Sequence, residues 1–519
     1  MLISRRSVLH SLSFGSALLA SHDAFAEVMS KSMPISEPAS EGVAAKGIRA
    51  FLDAINGSKH DLHSFMMLRH GRAIAQGWWN PYRPSDNHGM YSMSKSFTST
   101  AIGFAVAEGR LQVSDKVVSF FPDDVPVKPD PQLADMTVKH LLTMSTGQDR
   151  SATGATIKSD NWVRNFLALP IPDAPGSVFN YNSAATYMLS AIVQKLTGQR
   201  VVDYLKPRLF DPLGVAGPTW ETCPLGINTG GWGLNIRTEG LARFGQLYLQ
   251  RGRWHGMQIL PQAWVTEATS KQIQQPINKK SNPDWIQGYG YQFWRCRHDG
   301  FRGDGAFGQY TIVLPKQDVV IAMTGESPSM QDELNLVWEH LLPAIDADTN
   351  RDDDKALKKQ LAALAVPTPS GRQASPAFAG IAGKEFKATK NNHGLQSVSF
   401  ASGKGGVTFG FTDANGTHQI PCGLTEWIRS AAPAPFGTPR IIAGGAPKPG
   451  TPHRIAARAA WRNDHELQLT WRYFETPHSD LITCRFDGDR VTLTPLGSIA
   501  RIRGGKKDGR AAVIATAQS

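Results

Sequence analysis

A serine three residues ahead of a lysine is the first arrangement in this chain that could do chemistry. The stretch MYSMSKSFTST, residues 90–100, holds Ser92 and Lys95 at that spacing. On a helix such residues share a face, so an amine would sit beside the hydroxyl. A serine is a weak nucleophile at neutral pH without a base next to it. A lysine serves as that base only if burial or a neighbouring charge lowers its pKa. Ser94 adjoins Lys95 and faces away from it. With Ser92 opening a helix, its own N–H and the positive helix end can also meet a developing oxyanion. The chemistry implied is attack on a carbonyl carbon with an acyl-enzyme on serine. A lone Ser-x-x-Lys pair also arises about once by chance at this length, and it equally fits a capping serine followed by a solvent lysine.

The elements that must position this pair follow from local pattern. Ile48, Phe51, Leu52 and Ile55 recur at helical spacing, with Ser40 available as a cap and Gly57 as a stop. SFMMLRHGRAIAQGWW reads as two strands around His70-Gly71. Residues 93–250 are mostly helical: 98–108 ending at Gly109, a helix capped by Thr137, 184–197 ending at Gly198, and one capped by Thr238. Strands return at 288–296, 308–315 and 318–326, and a helix over 330–345 closes the region. Strands from both ends with helices between them predict an α+β domain, an antiparallel sheet flanked by helices with an inserted helical subdomain. The charged and Pro/Ser-rich residues 346–372 read as a solvated linker. Alternating segments such as GVTFGFTD and DRVTLTPL then predict a C-terminal all-β module over 373–510, with Asp487-Gly488 as a hairpin turn.

At this point three motifs in order carry a resemblance. YSMSKSFTSTAIGFAVAEGRLQVSDKV, MTVKHLLTMSTG and PGSVFNYNSAATYMLSAIVQKLTG together resemble the penicillin-recognising serine hydrolases, the group of class C β-lactamases, DD-peptidases and related esterases and amidases. The resemblance covers residues 40–345 and implies a β-lactamase-like fold. It implies Ser92 as nucleophile, Lys95 as its base and Tyr181 as the second proton-transfer residue. Two departures stand out. Tyr181-Asn182-Ser183 puts a serine where the family commonly has asparagine, with Asn182 one place out of register. The third signature, usually Lys-Thr-Gly or His-x-Gly, is replaced by Gly303-Asp304-Gly305 on the register through Gly305-Ala306-Phe307-Gly308-Gln309. Both departures resemble the branch that contains 6-aminohexanoate-dimer hydrolase. On that register the Ala306 N–H joins that of Ser92 in the oxyanion hole. Ser183, Trp232, Arg302, Asp304 and Gln309 become candidate substrate-binding residues, with Arg302 or Arg297 able to grip a substrate carboxylate. His298-Asp299-Gly300 also spells His-x-Gly, two residues early.

The remaining features bound the class. The chain has 519 residues, 41% hydrophobic and 19% charged, with net charge +11, an ordinary globular balance. A basic surface would favour anionic envelope polymers, and no nucleic-acid motif accompanies it. Four widely separated cysteines fit buried free thiols. The histidines lack zinc spacing, and NRDDDKALKKQ lacks the glycine and final glutamate of a calcium loop, so no metal or other cofactor is expected. Trp78, Trp79, Trp285 and Trp294 read as packing residues. Ser4-Arg5-Arg6-Ser7-Val8-Leu9, a weakly apolar run and Ala24-Phe25-Ala26 read as a twin-arginine-type export signal over 1–26, hence a periplasmic or secreted protein. The expected partner is a small-molecule or peptide-like ester or amide. The expectation is therefore an exported serine hydrolase, with a β-lactamase or DD-peptidase, or a catalytically silent envelope-binding protein, as alternatives.

Overall fold

The computed structural model describes residues 33–518 apart from 446, 447 and 449; the export signal lies outside the described residues. The central sheet has six strands, all antiparallel, in the order Arg72–Trp78, Asp61–Arg69, Val319–Glu326, Gln309–Leu314, Phe301–Gly305, Trp294–Arg295. Strand alternation sends side chains to opposite faces, and both faces of this sheet are buried. Met66, Leu68, Val320 and Ala322 point into the larger core with the helical subdomain. Phe65, Met67, Ile321 and Met323 point into a second core under the helix Ala45–Asn56. The helices Ser94–Ala107 and Ser183–Thr197 pack together in the larger core, which is why nearly all of the first and most of the second is buried. This is the expected α+β architecture.

Local signals placed most helix ends. Thr137 caps its helix in a reciprocal capping box with His140, and Gly198 ends Ser183–Thr197 in a left-handed conformation. Ala44, not Ser40, precedes the helix Ala45–Asn56, since Ser40 lies in a separate 3-10 turn, Pro38–Glu41, and Arg237, not Thr238, is the cap of Thr238–Leu249. The strand expected over 288–296 shrinks to Trp294–Arg295, because Gln292 takes a positive φ of 65°. The strand Phe301–Gly305 was not anticipated, since glycines punctuate it. The linker 346–372 is not simply solvated: Asn350 caps a helix, Arg351–Ala362, whose Leu357 is buried in the second core.

The C-terminal module is a ten-stranded barrel. A parallel bridge between Gly423 and Arg458 closes it, and Phe400, Phe409, Trp461, Leu469, Trp471 and Ile482 fill its interior. The boundary expected at residue 510 is too early, because Val513–Ala517 pairs with strands on both sides. The four cysteines are free and buried, Cys422 and Cys484 inside the barrel. Several polar contacts tie the barrel to the first domain, among them Arg472 to Asp61 at 2.7 Å and Arg429 to Asp86 at 2.5 and 3.0 Å. Among the described residues no helix is long and apolar enough to cross a membrane.

Candidate active site

Ser92 lies in a single 3-10 turn, Tyr91–Met93, that runs directly into the helix Ser94–Ala107. Lys95 is therefore one turn further along the same face, and its Nζ is 2.8 Å from Ser92 Oγ. Two other groups hold the amine: Ser183 Oγ at 2.9 Å and the Gly231 carbonyl at 2.7 Å. Thr98, also on this helix, donates to the Gly230 carbonyl at 2.9 Å. The helix thus grips the Gly230-Gly231 pair through two successive carbonyls. Glycine is required at 231, where a Cβ would come within 2.7 Å of the Ser183 carbonyl.

Burial brings the Lys95 ammonium down to about 7, against a smaller opposing pull from the Asp304 carboxylate. The three partners fit a neutral amine. It has two N–H donors for Gly231 O and Ser183 Oγ, and one lone pair left for the Ser92 O–H. Tyr181 completes the cluster. Its phenol lies beside Ser92, and its ring centroid is 4.8 Å from Lys95 Nζ. Burial and then Asp304 push the phenol well above its ordinary value, so it remains a proton donor at any working pH. Its ring stacks on Trp294 at 5.7 Å and 20°. Ser94 is excluded as nucleophile: it is buried, donates to the Tyr91 carbonyl at 2.6 Å and accepts from the Leu234 N–H at 3.1 Å.

The strand Phe301–Gly305 lies hard against the turn Tyr91–Met93. A Cβ on Gly305 would come within 2.1 Å of the Met90 carbonyl, and one on Gly303 within 2.5 Å of Met93 Sδ. These contacts explain the two glycines of Gly-Asp-Gly, which lie against the turn that carries Ser92. Gln309 braces that turn: its amide donates to the carbonyls of Ala306 (3.0 Å) and Gly325 (2.8 Å) and accepts from the Gly325 N–H.

Several expected substrate contacts are instead internal supports. Gln309 is fully buried in the bracing role just described. Arg302 is also fully buried; it pairs with Asp304 at 2.9 Å, lies 4.3 Å over the Trp285 ring and donates to the Asp284 carbonyl, so it cannot hold a substrate carboxylate. Asp304 is buried in the same pair. Arg297 is bound to Asp284 and Asn335, and His298 rests on Trp338. Ser183 is half-buried and accepts from the Lys95 amine. Asn182 points away as expected, capping the helix through the Ala184 N–H. Trp232 is not an open wall: it is buried on Trp162, and its indole N–H donates to the Gly444 carbonyl of a barrel loop. The Gly231 carbonyl and the Trp294 stack were not assigned by the sequence, although the glycine pair before Trp232 suggested a close approach to the cleft.

Residues 61–341, more than half of the chain, match the family described as Beta-lactamase. Over 309 residues the chain is 26% identical to a 6-aminohexanoate-dimer hydrolase of Paenarthrobacter ureafaciens, covering 56% of this chain and 78% of that protein. Over 312 residues it is 24% identical to penicillin-binding protein 4 of Amycolatopsis lactamdurans, covering 52% and 78%. A solved octameric penicillin-binding protein homologue from Pyrococcus abyssi is 15% identical and aligns over 90% of this chain and 99% of that one, with a TM-score of 0.46. The chain belongs to the β-lactamase family of serine hydrolases.

Proposed function

We propose that this protein is an exported hydrolase that cleaves an ester or amide through an acyl-enzyme on Ser92. The observation that carries the reading is the buried Lys95 amine, 2.8 Å from Ser92 Oγ and lowered to about 7. Neutral Lys95 takes the Ser92 proton as Oγ attacks the carbonyl carbon. The oxyanion of the tetrahedral intermediate is held by the N–H groups of Ser92 and Ala306. The intermediate collapses, the C–O or C–N bond breaks, and the proton on Lys95 passes to the leaving group, with the neutral Tyr181 phenol as donor. Water then attacks the acyl-enzyme, yields its proton to the same lysine, and releases the acid and Ser92.

An ester or linear amide is favoured over a β-lactam. The third motif in β-lactam-processing relatives presents a cation to the substrate carboxylate, whereas Arg302 is committed to Asp304 here. Export rests on Ser4–Leu9 and Ala24-Phe25-Ala26, and a mature N-terminus near Glu27 in the periplasmic or secreted fraction tests it. The catalytic reading is tested by fluorophosphonate labelling and a panel of a nitrophenyl ester, an anilide and a chromogenic cephalosporin. Labelling and ester or anilide turnover are expected in the wild type and lost in Ser92→Ala. Labelling that survives Ser92→Ala moves the nucleophile elsewhere.

A further inference from the structure

Both backbone positions that flank the proposed oxyanion donors are unusual. Tyr91, immediately before Ser92, has φ 45°, and Phe307, immediately after Ala306, has φ 68°. Left-handed backbone is costly for a residue with a Cβ, least expected at an aromatic side chain, and it persists only where the surroundings impose it. The two rings are neighbours, with centroids 5.8 Å apart. Both of them pack on one side chain, and that side chain belongs to the barrel.

The side chain is His478, on the turn between the barrel strands Glu466–Tyr473 and Ser479–Asp487. Its imidazole is fully buried. Nε2 lies 2.6 Å from the Tyr91 hydroxyl. The ring meets Phe307 edge to face at 4.8 Å and 88°. Nδ1 lies 2.5 Å from Glu326 Oε1, and the same carboxylate oxygen accepts from Ser498 Oγ, also at 2.5 Å. A carboxylate accepts only, so the Nδ1–H donates to Glu326, and Nε2 shares the second hydrogen bond with the Tyr91 hydroxyl. The ring plane is thus fixed from one side, while the other side holds Tyr91 and Phe307. Glu326 ends a strand of the central sheet, and the Ser327 N–H donates to the Phe307 carbonyl at 2.9 Å, which ties the clamp to the same turn. The adjoining barrel turn is also seated directly on the strand before Ser92: a Cβ on Gly89 would come within 2.6 Å of the Glu475 carbonyl.

We infer that His478 is a positioning residue for the oxyanion hole, holding Tyr91 and Phe307 so that the N–H groups of Ser92 and Ala306 converge on one point. This rests on the reading of those two N–H groups as oxyanion donors. It gives the barrel a part in catalysis without contact to substrate: the hydrolase domain carries the reacting groups, and the barrel sets the distance between two of its backbone amides. Misplacing a reacting group by about 1 Å costs about 10²-fold, and removing one oxyanion donor costs about 10²–10³-fold.

The test uses the full chain and three variants, His478→Ala, His478→Gln and Tyr91→Phe, with kcat and KM for a nitrophenyl ester per titrated active site. The rate of inactivation by a fluorophosphonate, whose tetrahedral adduct puts an oxygen in the same hole, is measured in parallel. His478→Ala is expected to lower kcat about 30- to 100-fold with KM within threefold, and to slow inactivation in step. Tyr91→Phe, which removes only the hydroxyl, is expected to lower both about 5- to 20-fold. His478→Gln is expected to recover part of the loss, since its amide can donate to Glu326 and accept from Tyr91. If His478→Ala fails to fold, Tyr91→Phe decides. Inactivation rates and kcat within twofold of wild type, or a lower active fraction with unchanged kcat per site, overturn the inference while leaving the hydrolase reading intact. A wild type that neither turns over esters nor labels at Ser92 overturns the hydrolase reading instead.

Discussion

If Lys95 is the base, hydrolysis should switch on near neutrality rather than near the usual titration of an amine. An ordinary lysine at 10.5 is neutral in about one molecule in 3,000 at pH 7, whereas one at about 7 is neutral in about half. Burial therefore supplies about 10³-fold more base. The profile of kcat/KM should rise about tenfold per pH unit below 7 and level off above it, measured from pH 5 to 9 at constant ionic strength. Lys95→Arg keeps a charge and removes the base, and should lower kcat about 10³-fold. The same burial has a signed cost in stability. The folded chain holds Lys95 at about 7 and the unfolded chain at about 10.5, so between these values the unfolded state binds the extra proton and stability rises with pH. At pH 7 the cost approaches about 5 kcal/mol. Lys95→Met removes it but leaves the Gly231 carbonyl without its donor, a loss of about 1–3 kcal/mol. The variant should therefore be more stable than wild type by about 2–4 kcal/mol at pH 7, with the advantage gone above pH 10.5. A flat activity profile between pH 5 and 8, or one that climbs only above pH 9, would refute the reasoning, as would a Lys95→Met protein less stable than wild type at pH 7.

Other expected outcomes concern the groups around this amine. Tyr181→Phe should lower kcat about 10²-fold with KM nearly unchanged, because the phenol donates a proton only during reaction; steady-state kinetics on an ester would check it. Gly305→Ala should lower kcat strongly in a protein that still folds, since the new methyl meets the Met90 carbonyl and pushes the strand from Ser92; circular dichroism alongside kinetics separates the two effects. Asp304→Asn removes the carboxylate that supports the Lys95 charge and leaves Arg302 uncompensated, so the acid limb of the pH profile should move below 7. Denaturant melts should place that variant about 3–5 kcal/mol lower in stability. Esters with a neutral acyl group should exceed carboxylate-bearing analogues in kcat/KM by about 10²-fold.

What was legible in the chain was local. A capping threonine, a terminating glycine and a Ser-x-x-Lys pair are read within one turn of backbone, and Thr137, Gly198 and Ser92 behave accordingly. The third motif was harder because its meaning depends on faces. Arg302 and Asp304 are two apart on a strand and so share a side, which is why they pair with each other rather than reach for substrate. That was readable only if 301–305 was recognised as a strand, and Gly303 and Gly305 hid it. Glycine there reflects the closeness of the helix start, not a turn. Gln309 was misassigned for a related reason: a polar residue in a family-like motif suggests ligand contact, but a fully buried amide is as useful for bracing carbonyls. The role of His478 was out of reach, since nothing local links a barrel turn to a residue 387 positions earlier.

The altered third motif and the neutral lysine are two parts of one electrostatic arrangement. A cation facing the cleft from the third motif would attract an anionic substrate and would also lower the Lys95 pKa by repulsion. Here the cation is turned inward, stacked on Trp285 and paired with Asp304, and Asp304 acts on Lys95 in the opposite sense. Desolvation alone must then keep the amine neutral. That requires a tightly closed site, and the closure is visible on each side: the Gly230-Gly231 carbonyls against the helix, the strand Phe301–Gly305 packed without side chains onto the nucleophile turn, and Trp294 across the phenol. On the proposed mechanism, a site closed this way has little freedom to adjust its backbone when the oxyanion forms, so the positions of the two proposed N–H donors must be set beforehand. Tyr91 and Phe307 sit where that setting would be made.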